Sequence, residues 1–144
     1  MKSMKWYFAS RVRHRDFIEK VSEILKSNGY IIAYEWTKED PLKPYKENSE
    51  EYSSVAGEII KSLEDVDVFV LISDESEADM LIELGTVLRN ENTKIYIVGK
   101  YNDSSLMNFH PKIKRVDNLI DVFSVESPDV LTEENIEFLN SFEI

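Results

Sequence analysis

Short apolar runs recur along the chain, and the segments between them are long enough to form helices. Each run is five to seven residues long and rich in β-branched and aromatic side chains, which is typical of β-strands. The predicted strands are residues 5 to 9, 30 to 36, 66 to 72 and 94 to 98, with a weaker fifth strand at residues 112 to 116. The third run is almost continuously apolar, as expected for a central parallel strand that is covered on both faces.

The segments between the strands carry apolar residues at the spacing of amphipathic helices. Three such stripes lie within residues 17 to 25, 55 to 63 and 80 to 88. Gly29 follows the first stripe where a residue in the left-handed conformation would end a helix. A last helix is predicted to begin after Thr132, whose hydroxyl suits an N-cap.

This alternation of strands and helices predicts an α/β protein built from right-handed β-α-β units. Five parallel strands suit a flavodoxin-like three-layer sandwich with strand order 2-1-3-4-5, in which all 144 residues form one domain. Residues 37 to 54 are either a lid over a substrate or a flexible insertion. Ligands of such sheets bind outside the carboxyl ends of the strands, between strands 1 and 3. The fold therefore predicts that residues 10 to 15 and 73 to 85 lie together at one site.

The turn after strand 1 concentrates positive charge, because three arginines and one histidine lie within residues 11 to 15. Backbone N–H groups and the positive end of a helix dipole converge at the same place, which favours an anion such as phosphate. Ser10, Arg11 and Arg13 are the candidate contacts. The alternative is a solvated helix start whose cations pair with nearby acids, although each exposed cation there opposes the dipole by about 0.3 to 1 kcal/mol.

Charge and composition restrict the class of partner. The chain has 28 acidic and 17 basic residues and a net charge of −11, so most of its surface repels nucleic acid and anionic lipid. No apolar stretch approaches the roughly 20 residues of a membrane span, and the absence of cysteine fits the reducing cytoplasm. A glycine-rich phosphate loop and metal-ligand spacing are also absent from the sequence. We therefore predict a cytoplasmic protein without a metal or cofactor that binds neither nucleic acid nor membrane.

Four motifs in order carry a resemblance to a known family: "YFASRVRHRDFIEKVSEILKSNGYIIAYEW", "DVDVFVLISD", "IELGTVL" and "TKIYIVG". Over roughly residues 4 to 123, the chain resembles the nucleoside 2-deoxyribosyltransferases, including 2′-deoxynucleoside 5′-phosphate N-hydrolase and phage-type relatives. The resemblance implies cleavage or transfer at the N-glycosidic bond of a deoxynucleoside or its 5′-monophosphate. It also implies a homo-oligomer, and we predict a homodimer, or a higher homo-oligomer, that buries the broadly apolar third helix or the loop after it.

Within this resemblance, Glu83 of "IELG" matches the nucleophile, and Tyr7 matches a tyrosine whose hydroxyl orients it. Breaking a glycosidic bond builds positive charge on the sugar, which a carboxylate beneath the anomeric carbon can stabilise or capture covalently. A carboxylate between apolar neighbours in the third helix also suits a cleft. The alternatives are a glutamate at the solvent rim of a helix and a core tyrosine with a satisfied hydroxyl.

The segment before Glu83 departs from the family, which has small residues there where this chain has "SEADMLIE". Ser76 is the plausible hydroxyl donor of that segment, and Asp74 and Asp79 are further candidates for substrate binding. Protonation of the leaving base is open between Glu58, Asp74 and Asp79. His110 of "NFHP" is either a turn residue or a ligand contact at a neighbouring subunit's site. These departures also allow a second function, a catalytically degenerate module that binds or senses a nucleotide.

Overall fold

The computed structural model describes residues 3–39, 45–75 and 78–142. It contains a sheet of five parallel strands in the order β2-β1-β3-β4-β5, so the predicted flavodoxin-like α/β fold is confirmed. The strands are β1 (Lys5–Ala9), β2 (Ile31–Ile32), β3 (Val68–Ile72), β4 (Lys94–Val98) and β5 (Ile113–Val116).

Helices follow the strands and flank the sheet. They are α1 (Arg15–Ser27), α2 (Ser49–Ser62), α3 (Asp79–Val87), α4 (Leu119–Glu126) and α5 (Glu133–Asn140). Two predicted helix boundaries are confirmed. Gly29 has φ 90° just after α1, and the Thr132 hydroxyl accepts a hydrogen bond from the Asn135 backbone N–H at 3.2 Å before α5. No helix in the described part of the chain is long and apolar enough to cross a membrane.

Alternation along β1 distributes its side chains between two apolar layers. Trp6 and Phe8 pack with residues of α1 and α4, whereas Tyr7 and Ala9 pack with residues of α3. All five residues of β3 are buried, as the nearly continuous apolar run predicts. Because side chains of a strand alternate between faces, Tyr7 lies on the same side of the sheet as α3.

The second strand is much shorter than predicted, covering residues 31 and 32 rather than 30 to 36. The chain leaves the sheet because the Trp36 indole, packed against both apolar layers, donates to the Phe8 carbonyl at 2.6 Å. Arg15 Nε then donates to the Thr37 carbonyl at 2.5 Å, next to the short 3-10 helix Trp36–Lys38. These side-chain contacts outweigh the β-propensity of the run and fold it over the start of α1.

Candidate functional site

The structure brings Tyr7 and Glu83 together. In α3 the residues Met80, Leu84 and Val87 are buried against the sheet, which leaves the half-buried Glu83 at the flank of this stripe. Tyr7 is buried in β1, and its hydroxyl lies close enough to the Glu83 carboxylate for the two groups to shift each other's pKa. A hydroxyl and a carboxylate thus lie side by side on the side of the sheet that α3 covers.

The surroundings of Glu83 oppose its ionisation. Burial raises the pKa of Glu83 to about 7, the nearby Tyr7 hydroxyl partly counters this rise, and the Asp79 carboxylate adds to it. Burial first, and then the charge of Glu83, keep the pKa of Tyr7 well above its usual range, so Tyr7 remains a neutral hydrogen-bond donor. Glu83 therefore changes its charge near neutral pH, as a group that acts in acid–base or nucleophilic chemistry often does.

A second tyrosine, which the sequence analysis did not identify as a site residue, lies beside this pair. The Tyr34 hydroxyl donates to Glu39 Oε1 at 2.8 Å, lies near enough to the Glu58 carboxylate of α2 for that group to raise its pKa, and interacts electrostatically with Tyr7. Burial and these two carboxylates raise the pKa of Tyr34. The available sequence signal is the position of Tyr34, just beyond the carboxyl end of β2. Tyr34 therefore lies between Tyr7 and Glu58, which is a candidate for protonating the leaving base.

The arginine-rich turn meets the loop after β3, as the fold predicts. Arg13 Nη2 lies 2.5 Å from Asp74 Oδ2, and His14 Nε2 lies 3.4 Å from the same oxygen. The other Asp74 oxygen accepts a hydrogen bond from the Glu75 backbone N–H at 2.7 Å. Burial first, and then Arg13, lower the pKa of His14, which favours its neutral form. Arg13 in the turn after β1 and Asp74 in the loop after β3 therefore form an ion pair across the two loops.

The remaining predicted site residues have different surroundings. The Ser10 hydroxyl donates to the Arg11 carbonyl at 3.0 Å, and exposed Asp79 in the first turn of α3 acts on Glu83. Ser76 lies outside the described residues. His110 does not join the site of its own chain, because it lies in the turn that enters β5, where its Nδ1 accepts from the Lys112 backbone N–H at 3.1 Å.

The turn of His110 precedes Ile113, which pairs with Ile95 near the beginning of β4. It therefore lies toward the amino edge of the sheet, whereas the loops after β1 and β3 lie at the carboxyl edge. Asn108, two residues before His110, is fully buried and donates to the Asn102 carbonyl at 3.2 Å. A role for His110 at a neighbouring subunit's site stays a prediction.

Within the described ranges, no three histidine, aspartate or glutamate side chains are grouped so that they could hold a metal ion. The chain matches no protein-family model, and it matches no curated protein in sequence. The Tyr7–Glu83 pair and the motif resemblance are therefore the two features of the chain that bear on its function.

Replacing Tyr7 with phenylalanine is expected to raise the pKa of Glu83 further above about 7, because the hydroxyl stabilises the ionised carboxylate. The measurement is an NMR titration of the Glu83 carboxyl carbon in wild type and variant. Tyr34→Phe is the control, since it removes a nearby hydroxyl that does not act on the pKa of Glu83. An unchanged or lowered pKa of Glu83 in Tyr7→Phe would show that the Tyr7 hydroxyl does not favour the charged carboxylate.

Proposed function

We propose that the protein cleaves or transfers the N-glycosidic bond of a deoxynucleoside or its 5′-monophosphate with Glu83 as nucleophile. The observation that carries this proposal is the closeness of the Tyr7 hydroxyl and the half-buried Glu83 carboxylate, each of which shifts the pKa of the other. In a flavodoxin-like sheet a ligand is expected at the carboxyl edge, next to β1 and β3. The motif resemblance assigns the same two residues to the nucleophile and its orienting partner.

In the proposed reaction, a Glu83 oxygen attacks the anomeric carbon while the bond from that carbon to the base nitrogen breaks. The bonding electrons leave with the base, which takes up a proton, and a glycosyl ester on Glu83 remains. Water then displaces Glu83 in hydrolysis, or a second base does so in transfer. The Tyr7 hydroxyl holds the attacking carboxylate in orientation and favours its ionised form, and none of these steps needs a cofactor.

Three carboxyl groups remain candidates for protonating the leaving base. Glu58 is linked to the site through Tyr34, and Asp79 interacts directly with Glu83. Asp74 is bound to Arg13 and His14, so it would have to leave these partners in order to donate a proton to a base. We therefore place Glu58 and Asp79 ahead of Asp74 for this role.

The test is to incubate wild-type protein with each of the four common deoxynucleosides and their 5′-monophosphates. Chromatography of each reaction then measures the released base. A second free base is added in parallel reactions, so that formation of a new nucleoside distinguishes transfer from hydrolysis. Release of base from any of these substrates supports the proposal. No release from any of them, at substrate concentrations where binding is measured, would contradict it.

A binding or sensing module without turnover is the second candidate. It is favoured by the burial of Glu83 and by the nearby Asp79 carboxylate, which leave Glu83 only partly ionised at neutral pH. Such a module would bind a nucleoside or nucleotide without base release and would tolerate Glu83→Gln with little change in affinity. The screen and a binding titration together separate the two candidates.

We further propose that two copies assemble through α3. Leu81 and Ile82 are 38% and 65% exposed although α3 already packs Met80, Leu84 and Val87 against the sheet. Exposed apolar side chains on one helix favour burial against a second copy. The net charge of −11 favours action on a small molecule rather than on nucleic acid, and we place this action in the cytoplasm.

Ile82→Asp is expected to convert this dimer to a monomer, because it would bury an unpaired charge in the interface. Light scattering at micromolar concentration measures the mass. Val125→Asp is the matched control, since Val125 is 62% exposed in α4, whose buried residues belong to the other apolar layer. A wild-type protein that is already monomeric would rule out the assembly.

A further inference from the structure

The turn after β1, where the sequence predicts an anion, already contacts a carboxylate of the chain itself. This carboxylate belongs to Asp74, which lies two residues after the end of β3 and is only 5% exposed. Its two oxygens contact Arg13 at 2.5 Å, His14 at 3.4 Å and the Glu75 backbone N–H at 2.7 Å. A guanidinium, an imidazole and a backbone N–H are the groups that proteins use to bind phosphate.

Further carboxylates lie beside this contact. Glu75 follows Asp74 directly, and its Oε1 accepts a hydrogen bond from the Tyr101 hydroxyl at 2.6 Å. Asp79 lies in the first turn of α3, where the positive end of the helix dipole favours its negative charge. A phosphate brought to this loop would therefore meet negative charge on the β3 side and an arginine that is already paired.

We propose that Asp74 occupies the anion position of the β1–α1 turn and thereby excludes a substrate 5′-phosphate, so that the site selects unphosphorylated deoxynucleosides. The substrate part of this inference rests on the proposed function. The occupation of the anion position by Asp74 does not, because it concerns the binding of phosphate alone. Asp74 thus determines specificity in this proposal, in keeping with its place behind Glu58 and Asp79 as a donor of a proton to the leaving base.

The test compares wild type, Asp74→Ala, Asp74→Asn and the double variant Asp74→Ala/Arg13→Ala. Inorganic phosphate is titrated into each protein, and its binding is measured from the NMR signal of the Arg13 side chain. Calorimetry replaces this signal in the double variant, because that variant lacks Arg13. Asp74→Ala is expected to bind phosphate about tenfold to a hundredfold more tightly than wild type, because the paired arginine is released and a like charge is removed. The double variant is expected to lose this gain.

Asp74→Asn keeps the side-chain volume and removes the charge, so its gain in phosphate affinity is expected to be smaller than that of Asp74→Ala. It also serves as the second variant if Asp74→Ala does not fold, which circular dichroism would show. A gain of about threefold to tenfold in Asp74→Asn then still supports exclusion by charge. Equal phosphate affinity in wild type and in every folded Asp74 variant would overturn the proposal.

A parallel titration with a deoxynucleoside and its 5′-monophosphate tests the substrate part. Wild type is expected to bind the nucleoside more tightly than the monophosphate, and Asp74→Ala is expected to reverse or abolish that preference. Tighter binding of the monophosphate by wild type would overturn the proposed selectivity. If no variant binds a nucleoside while Asp74→Ala gains phosphate affinity, the proposed function fails and the assignment of Asp74 to the anion position stands.

Discussion

Replacing Glu83 with glutamine is expected to lower the rate of base release by at least roughly a thousandfold, because the amide cannot act as the nucleophile. Ligand affinity is expected to change by no more than about threefold, since a nucleophile acts mainly in the transition state. The measurement combines base release under single-turnover conditions with a calorimetric titration of the same deoxynucleoside. Glutamine has the same size and shape as glutamate, so the packing beside Tyr7 is preserved.

Glu91→Gln is the matched control for this experiment, because it makes the same chemical change at an exposed residue in the connection between α3 and β4. Its activity is expected to equal that of wild type. Base release by Glu83→Gln at the wild-type rate would remove Glu83 from the chemistry and leave the resemblance without its central residue. Loss of both binding and activity would instead indicate a structural role.

The sequence predicts the sheet well because its information is local and repeated. Each strand is an apolar run and each helix an amphipathic stripe, and the right-handed crossover rule then restricts the order of the strands. The second strand is the exception, since contacts of Trp36 and Arg15 with distant backbone carbonyls shorten it. The order of apolar and polar residues within 30 to 36 does not indicate either contact.

The candidate site is predictable only in part. The topology brings the turn after β1 to the loop after β3, so the proximity of Arg13 to the Asp74 region follows from the order of the strands. The pairing of Arg13 with Asp74 does not follow, because it depends on side-chain geometry between residues 61 positions apart. Tyr34 was missed for the same reason, since its partners Glu39 and Glu58 converge on it only in the folded chain.

The raised pKa of Glu83 links the chemistry of the site to the stability of the fold. The folded-state pKa of about 7 lies above the ordinary value of 4.5, so the folded protein binds this proton more tightly than the unfolded chain does. The stabilisation from this group is therefore fully present below about pH 4.5 and is lost as pH rises through about 7. Above pH 7 the folded state carries the cost of a partly buried charge.

Glu83→Gln removes this titration. The free energy of unfolding of the variant, relative to that of wild type, is expected to increase by about 2 kcal/mol between pH 5.5 and pH 8.5. Urea unfolding of wild type and variant at several pH values in this window measures the difference in the free energy of unfolding. The window stays above the acidic pH at which the net charge of the chain vanishes. Glu91→Gln, at an exposed position, is expected to show a difference from wild type that stays constant across the window. If the difference for Glu83→Gln is equally flat, then Glu83 ionises in the folded protein as it does in the unfolded chain, and its burial does not prepare it for catalysis near neutral pH.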